Sequence, residues 1–164
     1  SALEVGVEHR DVVVAALRRL RPAVVITQHW EQRHPDHTAA SRLVYDACFM
    51  AGLRNYRPDL GDAFRPRKIV YATSMTEAAE VPPTFVVDIT ATFDVKMKAI
   101  RAFASQFEPA PGETVALPFD RFQDAVELMA RRQGQRIAVT YGEGFVTREP
   151  VAIDDVMSLR GRSI

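Results

Sequence analysis

A helical repeat that stops at a proline and gives way at once to a β-branched run is what most constrains this chain. From Val7 to Leu20, apolar Val13, Ala16, Leu17 and Leu20 recur at helical spacing, and Arg18 and Arg19 are expected to face water. Arg21-Pro22 ends the repeat. Ala23 to Thr27 follows as a short β-branched strand, expected to be buried on both faces. A helix that feeds such a strand is the second half of a βαβ unit.

The alternation continues downstream. Thr38 to Ala51 reads as a helix with Gly52 at its end, and Lys68 to Ala72 as a strand. Thr84 to Ile89 reads as another strand. Thr92 to Phe107 reads as a helix striped by Phe93, Met97, Ile100 and Phe103/Ala104. Phe119 to Gln133 is a further helix, and Tyr141 to Val146 a last strand or structured loop. The expected fold is α/β, a Rossmann-like parallel sheet flanked by helices, with residues 1–164 as a single domain. Three clear strands are few for such a sheet.

Composition removes several classes of function. The 21 Lys and Arg balance 21 Asp and Glu, without the basic excess of a nucleic-acid binder. No apolar run approaches the roughly 20 residues of a membrane span. A lone Cys48 permits no internal disulfide, so a reducing cytoplasm is the expected compartment. Cys48 itself reads as a small buried hydrophobe. No Gly-x-Gly-x-x-Gly or phosphate-binding loop follows a strand, which argues against a nucleotide site.

The chemistry gathers in Arg33-His34-Pro35-Asp36-His37. Two histidines lie three residues apart, after a strand and before a helix, where open α/β sheets place ligands. Pro35 restricts the backbone between them. A helix starting at Thr38 would turn its positive end toward His37 and favour the neutral imidazole that a metal needs. Asp36 is suited to fix a histidine's tautomer; in the plainer alternative it caps the helix in a solvated turn. A catalytic zinc takes three protein ligands and an open position. His37 and His34 supply two candidates. His29 reads as a structural histidine and His9 as packed or capping. Tyr141 and Glu143 flank glycines that would let them approach a ligand, or that simply form a turn.

These residues, together with Ala47-Cys48-Phe49-Met50-Ala51-Gly52-Leu53, Pro83 to Ile89, Lys96-Met97-Lys98-Ala99-Ile100 with Ser105-Gln106-Phe107, and Tyr141 to Phe145 with Arg148-Glu149-Pro150, resemble the zinc-dependent LmbE/PIG-L de-N-acetylases, most nearly the bacillithiol-pathway branch. The resemblance implies a Zn2+ enzyme that removes an N-acetyl group from a glucosamine derivative, N-acetylglucosaminyl malate in that branch. It implies His37 as a zinc ligand and His34 as the imidazolium that stabilises the oxyanion and protonates the leaving amine. Asp36 would tune His34, with Arg33 and Gln32 at the pocket edge. The family's first motif, Ala-His-Pro-Asp-Asp, has no counterpart here, and Asp154-Asp155 is not preceded by His-Pro. The chain is therefore expected to be the C-terminal portion of the fold, lacking a strand–helix–strand segment. Its expected partners are an acetylated amino sugar and further copies of itself, with no nucleic acid and no membrane. The alternatives are a relative acting on another acetylated sugar or thiol conjugate, and a non-catalytic fragment with an incomplete metal site.

Overall fold

The computed structural model describes residues 3–73, 81–103, 106–107 and 118–159. They form two compact units, residues 1–84 with 145–151 and residues 85–144 with 152–164.

In the first unit, α1 (Val7–Leu20) matches the span predicted from periodicity. Arg21 ends it in the left-handed conformation, φ 47°, with its N–H bonded to Leu17 O. β1 (Val24–Gln28) and β2 (Lys68–Ala72) pair in parallel, Val24 opposite Lys68 through Gln28 opposite Ala72. The helix between them, α2 (Pro35–Ala51), makes this a strand–helix–strand crossover. The end of β4 (Gly142–Val146) adds an antiparallel neighbour, Tyr71 opposite Val146 and Ala72 opposite Phe145. The strand order here is thus β1-β2-β4, a mixed sheet in which the expected parallel pairing belongs to β1 and β2.

Val14 and Leu17 of α1 close on Ala47, Cys48 and Ala51 of α2, and Val25 and Ile69 of the sheet pack against them. Alternation along β1 leaves the opposite face bare: Val24 is 49% exposed and Ile26 61%. The expectation of a strand buried on both faces is therefore wrong within this unit. Helices cover one face of β1, and among the described residues the strand has a neighbour on one side only.

Arg18 overturns a second expectation. Rather than facing water it is 4% exposed. Its guanidinium donates to the carbonyls of Ala51, Leu53, Tyr56, Arg57 and Gly61 at 2.7–3.1 Å. Residues 51–61 leave α2 as a connection with one short 3-10 turn at Pro58–Leu60, in which the carbonyls of Ala51, Leu53 and Arg57 also accept the N–H groups of Phe64, Tyr56 and Leu60. The planar, five-donor fork adds a donor to each of the five, as no apolar residue could. Beside it, Asp11 accepts from Tyr56 Oη at 2.5 Å and pairs with Arg57.

In the second unit β3 (Phe85–Asp88) lies beside the start of β4. Ile89 N–H donates to Tyr141 O at 3.0 Å. α3 (Phe93–Arg101) is shorter than the predicted Thr92–Phe107 helix, and α4 (Phe119–Gln135) is slightly longer than predicted. Phe93 is buried as the stripe requires, but Phe103 lies beyond the helix and is 68% exposed; Ala104 falls outside the described residues. Gly134 and Gly142 let the end of α4 meet β4 backbone to backbone: a Cβ on Gly142 would lie 2.7 Å from Gly134 N. Among the described residues no helix is long and apolar enough to cross a membrane.

Candidate functional site

The His-Pro-Asp-His sequence does more than precede a helix: it builds the helix's first turn. Pro35 occupies the first helical position, where its missing N–H removes nothing. A residue before proline is pushed to extended backbone, and His34 takes that geometry (φ −87°, ψ 123°) as N-cap. Its Nδ1 accepts the Asp36 N–H at 3.2 Å, the task usually done by a Ser or Asp oxygen. The helix thus starts three residues earlier than its apolar stripe suggests, because a histidine caps it. With Nδ1 as acceptor, the neutral ring carries its proton on Nε2.

His37 follows one turn on, its N–H bonded to His34 O at 3.0 Å. The spacing of three puts both rings on one side of the turn, with centroids 5.1 Å apart and planes tilted by 32°. Both side chains are exposed, at the positive end of α2 and beyond the carboxyl end of β1. Thr38 steadies the approach: its hydroxyl accepts Gln32 N–H at 3.3 Å and lies 3.4 Å from Gln32 O. Arg33 is exposed beside it. The contact between Asp36 and His34 runs through the Asp36 backbone, while the Asp36 carboxylate accepts Leu3 N–H at 3.2 Å.

His29 is 2% exposed, packed on Trp30 at 4.0 Å, with Nδ1 accepting Glu31 N–H at 3.2 Å. Those contacts suit a structural residue, although Nε2 is buried without a described partner. His9 is exposed in the first turn of α1, not packed as expected; Gly6 is the N-cap there. Burial pushes the Cys48 thiol up to about 11, as befits a small apolar residue rather than a nucleophile.

Tyr141 and Glu143 lie in the second unit, each with partners of its own. Tyr141 stacks on Phe93 at 3.9 Å, and its hydroxyl lies 3.0 Å from Glu127 and 3.1 Å from Arg131. The Arg131 and Tyr141 hydrogen bonds hold the Glu127 carboxyl below its ordinary range. Glu143 is ion-paired with Lys96.

Among the described residues no three His, Cys, Asp or Glu side chains gather to hold a metal. His34 and His37 offer two nitrogens where a catalytic zinc takes three protein ligands. The described residues alone therefore do not fit that ion.

Sequence reading missed the group behind the loop. Trp30 meets Tyr71 edge-on at 4.8 Å, and Arg148 lies over Trp30, Tyr45 and Tyr71. The singular tryptophan just after a strand was the one available signal.

A helix-flanked α/β sheet with paired histidines on a helix's first turn defines the class. Comparison makes it specific. No protein-family model matches the chain. It is 34% identical over 108 residues to the diacetylchitobiose deacetylase of Thermococcus kodakarensis, covering 61% of this chain and 38% of that protein. It is 40% identical over 73 residues to a 1D-myo-inositol 2-acetamido-2-deoxy-alpha-D-glucopyranoside deacetylase of Nocardioides, covering 43% and 24%. A conserved protein of Thermus thermophilus superposes with TM-score 0.78 at 34% identity, over 98% of this chain and 66% of that one. The N,N'-diacetylchitobiose deacetylase of Pyrococcus horikoshii gives 0.70 at 26%, over 88% and 52%. These relatives are sugar deacetylases of the LmbE/PIG-L family, and the chain is similar to them. It spans well under half the length of the curated relatives it matches.

Proposed function

We propose that this chain carries part of the active site of a metal-dependent enzyme that removes the acetyl group from an N-acetylglucosamine derivative. The observation that supports it best is the exposed His34–His37 pair on the first turn of α2, in a chain related to sugar deacetylases. His37 is assigned as one zinc ligand, the others coming from outside the described residues. A bound ion would supply Lewis acidity. His34 hydrogen-bonds the acyl oxygen through Nε2–H as charge builds there. It enters the reaction as imidazolium, with Nδ1 protonated and the Asp36 N–H given up, and passes its Nε2 proton to the departing amine, ending neutral. Asp36 holds the turn, and Gln32 and Arg33 border the pocket.

The substrate assigned is N-acetylglucosaminyl malate, on the strength of the Lys96–Ile100 and Tyr141–Pro150 segments that resemble the bacillithiol branch. Diacetylchitobiose and acetylglucosaminyl inositol, the substrates in the relatives' names, are the competitors. A second reading, a non-catalytic fragment, is favoured by the lack of a three-ligand cluster among the described residues. Self-association belongs to the proposal too, because β1 has a bare apolar face.

The test is release of free amine from the three substrates, with and without a chelator. Chelator-sensitive release fastest from the malate conjugate supports the assignment. Release fastest from another substrate moves it within the family. No release from any, with the protein folded and zinc supplied, supports the fragment reading. In an active form, His37→Ala is expected to lose zinc, and His34→Ala to keep it while turnover falls ~10²–10⁴-fold.

A further inference from the structure

Arg148, just past the end of β4, rests its guanidinium on an aromatic floor. The group lies 4.3 Å from the centre of the Tyr45 ring, 4.7 Å from Trp30 and 5.3 Å from Tyr71. Glu149 beside it turns to Lys68 at 3.8 Å. Arg148 itself is exposed, and among the described residues its side chain makes no ion pair and no hydrogen bond. A guanidinium laid against aromatic faces keeps its in-plane N–H donors available, the arrangement that presents a fork to an oxyanion. The backbone that carries it is fixed on either side. The Thr147 hydroxyl donates to Glu149 O at 2.8 Å, and Thr147 N–H donates to Thr84 Oγ1 at 3.1 Å.

This floor stands behind the His34–His37 turn. Trp30 precedes His34 by four residues, so their Cα atoms are at most about 14 Å apart. Thr38, Ser41 and Tyr45, at helical spacing, share one face of α2. On that face Thr38 holds Gln32 of the loop, and Tyr45 meets Arg148. Helical side chains lean toward the N-terminus, here the turn that carries the two histidines. Two further polar groups gather at the same indole. His29 packs on Trp30 at 4.0 Å and Tyr71 at 4.8 Å, and His29 Nε2 and Tyr71 Oη are buried with no hydrogen-bond partner among the described residues. All of these residues belong to the first unit.

We propose that Arg148 is a specificity-determining residue that receives a carboxylate on the part of the substrate remote from the acetamide. Two carboxylate oxygens match the guanidinium fork, and the aromatic floor fixes the plane in which the fork lies. A neutral acetylated sugar has no group to make this contact. The inference rests on the deacetylase reading and deepens it: among acetylated amino sugars, the site selects those with an acidic substituent.

N-Acetylglucosaminyl malate and methyl N-acetylglucosaminide, an uncharged counterpart, are titrated into the whole chain at constant ionic strength. The sole tryptophan, Trp30, lies against Arg148 and reports by its fluorescence, with calorimetry as a second readout. The malate conjugate is expected to bind at least ~10-fold more tightly than the methyl glycoside. Arg148→Gln is expected to remove that preference and leave the affinity for the methyl glycoside unchanged, a split that a merely structural role would not produce. Arg148→Lys keeps the charge without the fork and is expected to retain the preference only in part. Equal affinities in the native chain, or no saturable binding of the conjugate up to about 10 mM, overturns the proposal. A preference kept in Arg148→Gln, with circular dichroism showing it folded, overturns it equally. Amine release is followed in the same samples with zinc supplied. Release without a preference for the conjugate sinks the Arg148 assignment alone, and an Arg148-dependent preference without release sinks the deacetylase reading alone.

Discussion

His34 holds up a helix with one ring nitrogen and leaves the other for the chemistry proposed above, and the two roles can be separated by mutation. Alanine removes the Nδ1 acceptor and strands the Asp36 N–H, which is expected to cost about 1 kcal/mol. Asparagine caps helices well, so His34→Asn is expected to keep the urea midpoint of the native chain while lacking the imidazole. Equal destabilisation by both variants would mean that the cap contributes nothing. Cys48 gives a second test at this scale. Its folded value of about 11 lies above the ordinary 9.0, so its contribution to stability is intact below pH 9. Between 9 and 11 the unfolded chain ionises first, and stability falls as pH rises through that window. Cys48→Ala is expected to flatten this alkaline slope in urea titrations. The paired histidines were legible because spacing and strand-end position are properties of sequence. Arg18 was not, because periodicity places it on the outer side of α1 and does not register a loop folding over that side. The Trp30–Arg148 contact was hidden too, since it joins residues far apart in the chain.

At the scale of elements, the helices were read more securely than their surroundings. α1 has the predicted limits because its stripe runs the whole length and Arg21-Pro22 ends it. α2 begins early because Pro35, well suited to a helix's first position, follows a histidine that takes the capping task usually left to Ser or Asp. β1 was misjudged for a different reason: a β-branched run signals a strand but does not say how many faces are covered. The junction of α4 and β4 yields a prediction. Gly142→Ala would force a methyl within 2.7 Å of Gly134 N and 2.8 Å of Gln133 C, both backbone and unable to swing aside. A loss of about 1–3 kcal/mol is expected in chemical denaturation. A neutral result would mean that the two segments separate readily.

For the whole molecule, charge balance sets solution behaviour. With 21 cations against 21 anions and a pI near 6.9, long-range repulsion between copies is minimal at neutral pH. Solubility, read as the polyethylene glycol concentration that precipitates the protein, is expected to be lowest near pH 7 and to rise on either side. Stability depends on a few tightly used side chains, Arg18 foremost. Lysine there offers one compact cation in place of a five-donor fork and leaves most of the five carbonyls without their side-chain donor. Arg18→Lys is expected to cost about 3 kcal/mol or more.

The Arg18 knot also bears on how this region can change over evolutionary time. Every acceptor it holds is a main-chain oxygen, and main-chain oxygens are the same whichever amino acids carry them. The shape of the 51–61 connection is thus fixed by a residue outside it, largely without regard to its own lettering. Substitutions that keep the backbone path can accumulate there while the arginine stays. In such a family, variability along a loop is no guide to its looseness.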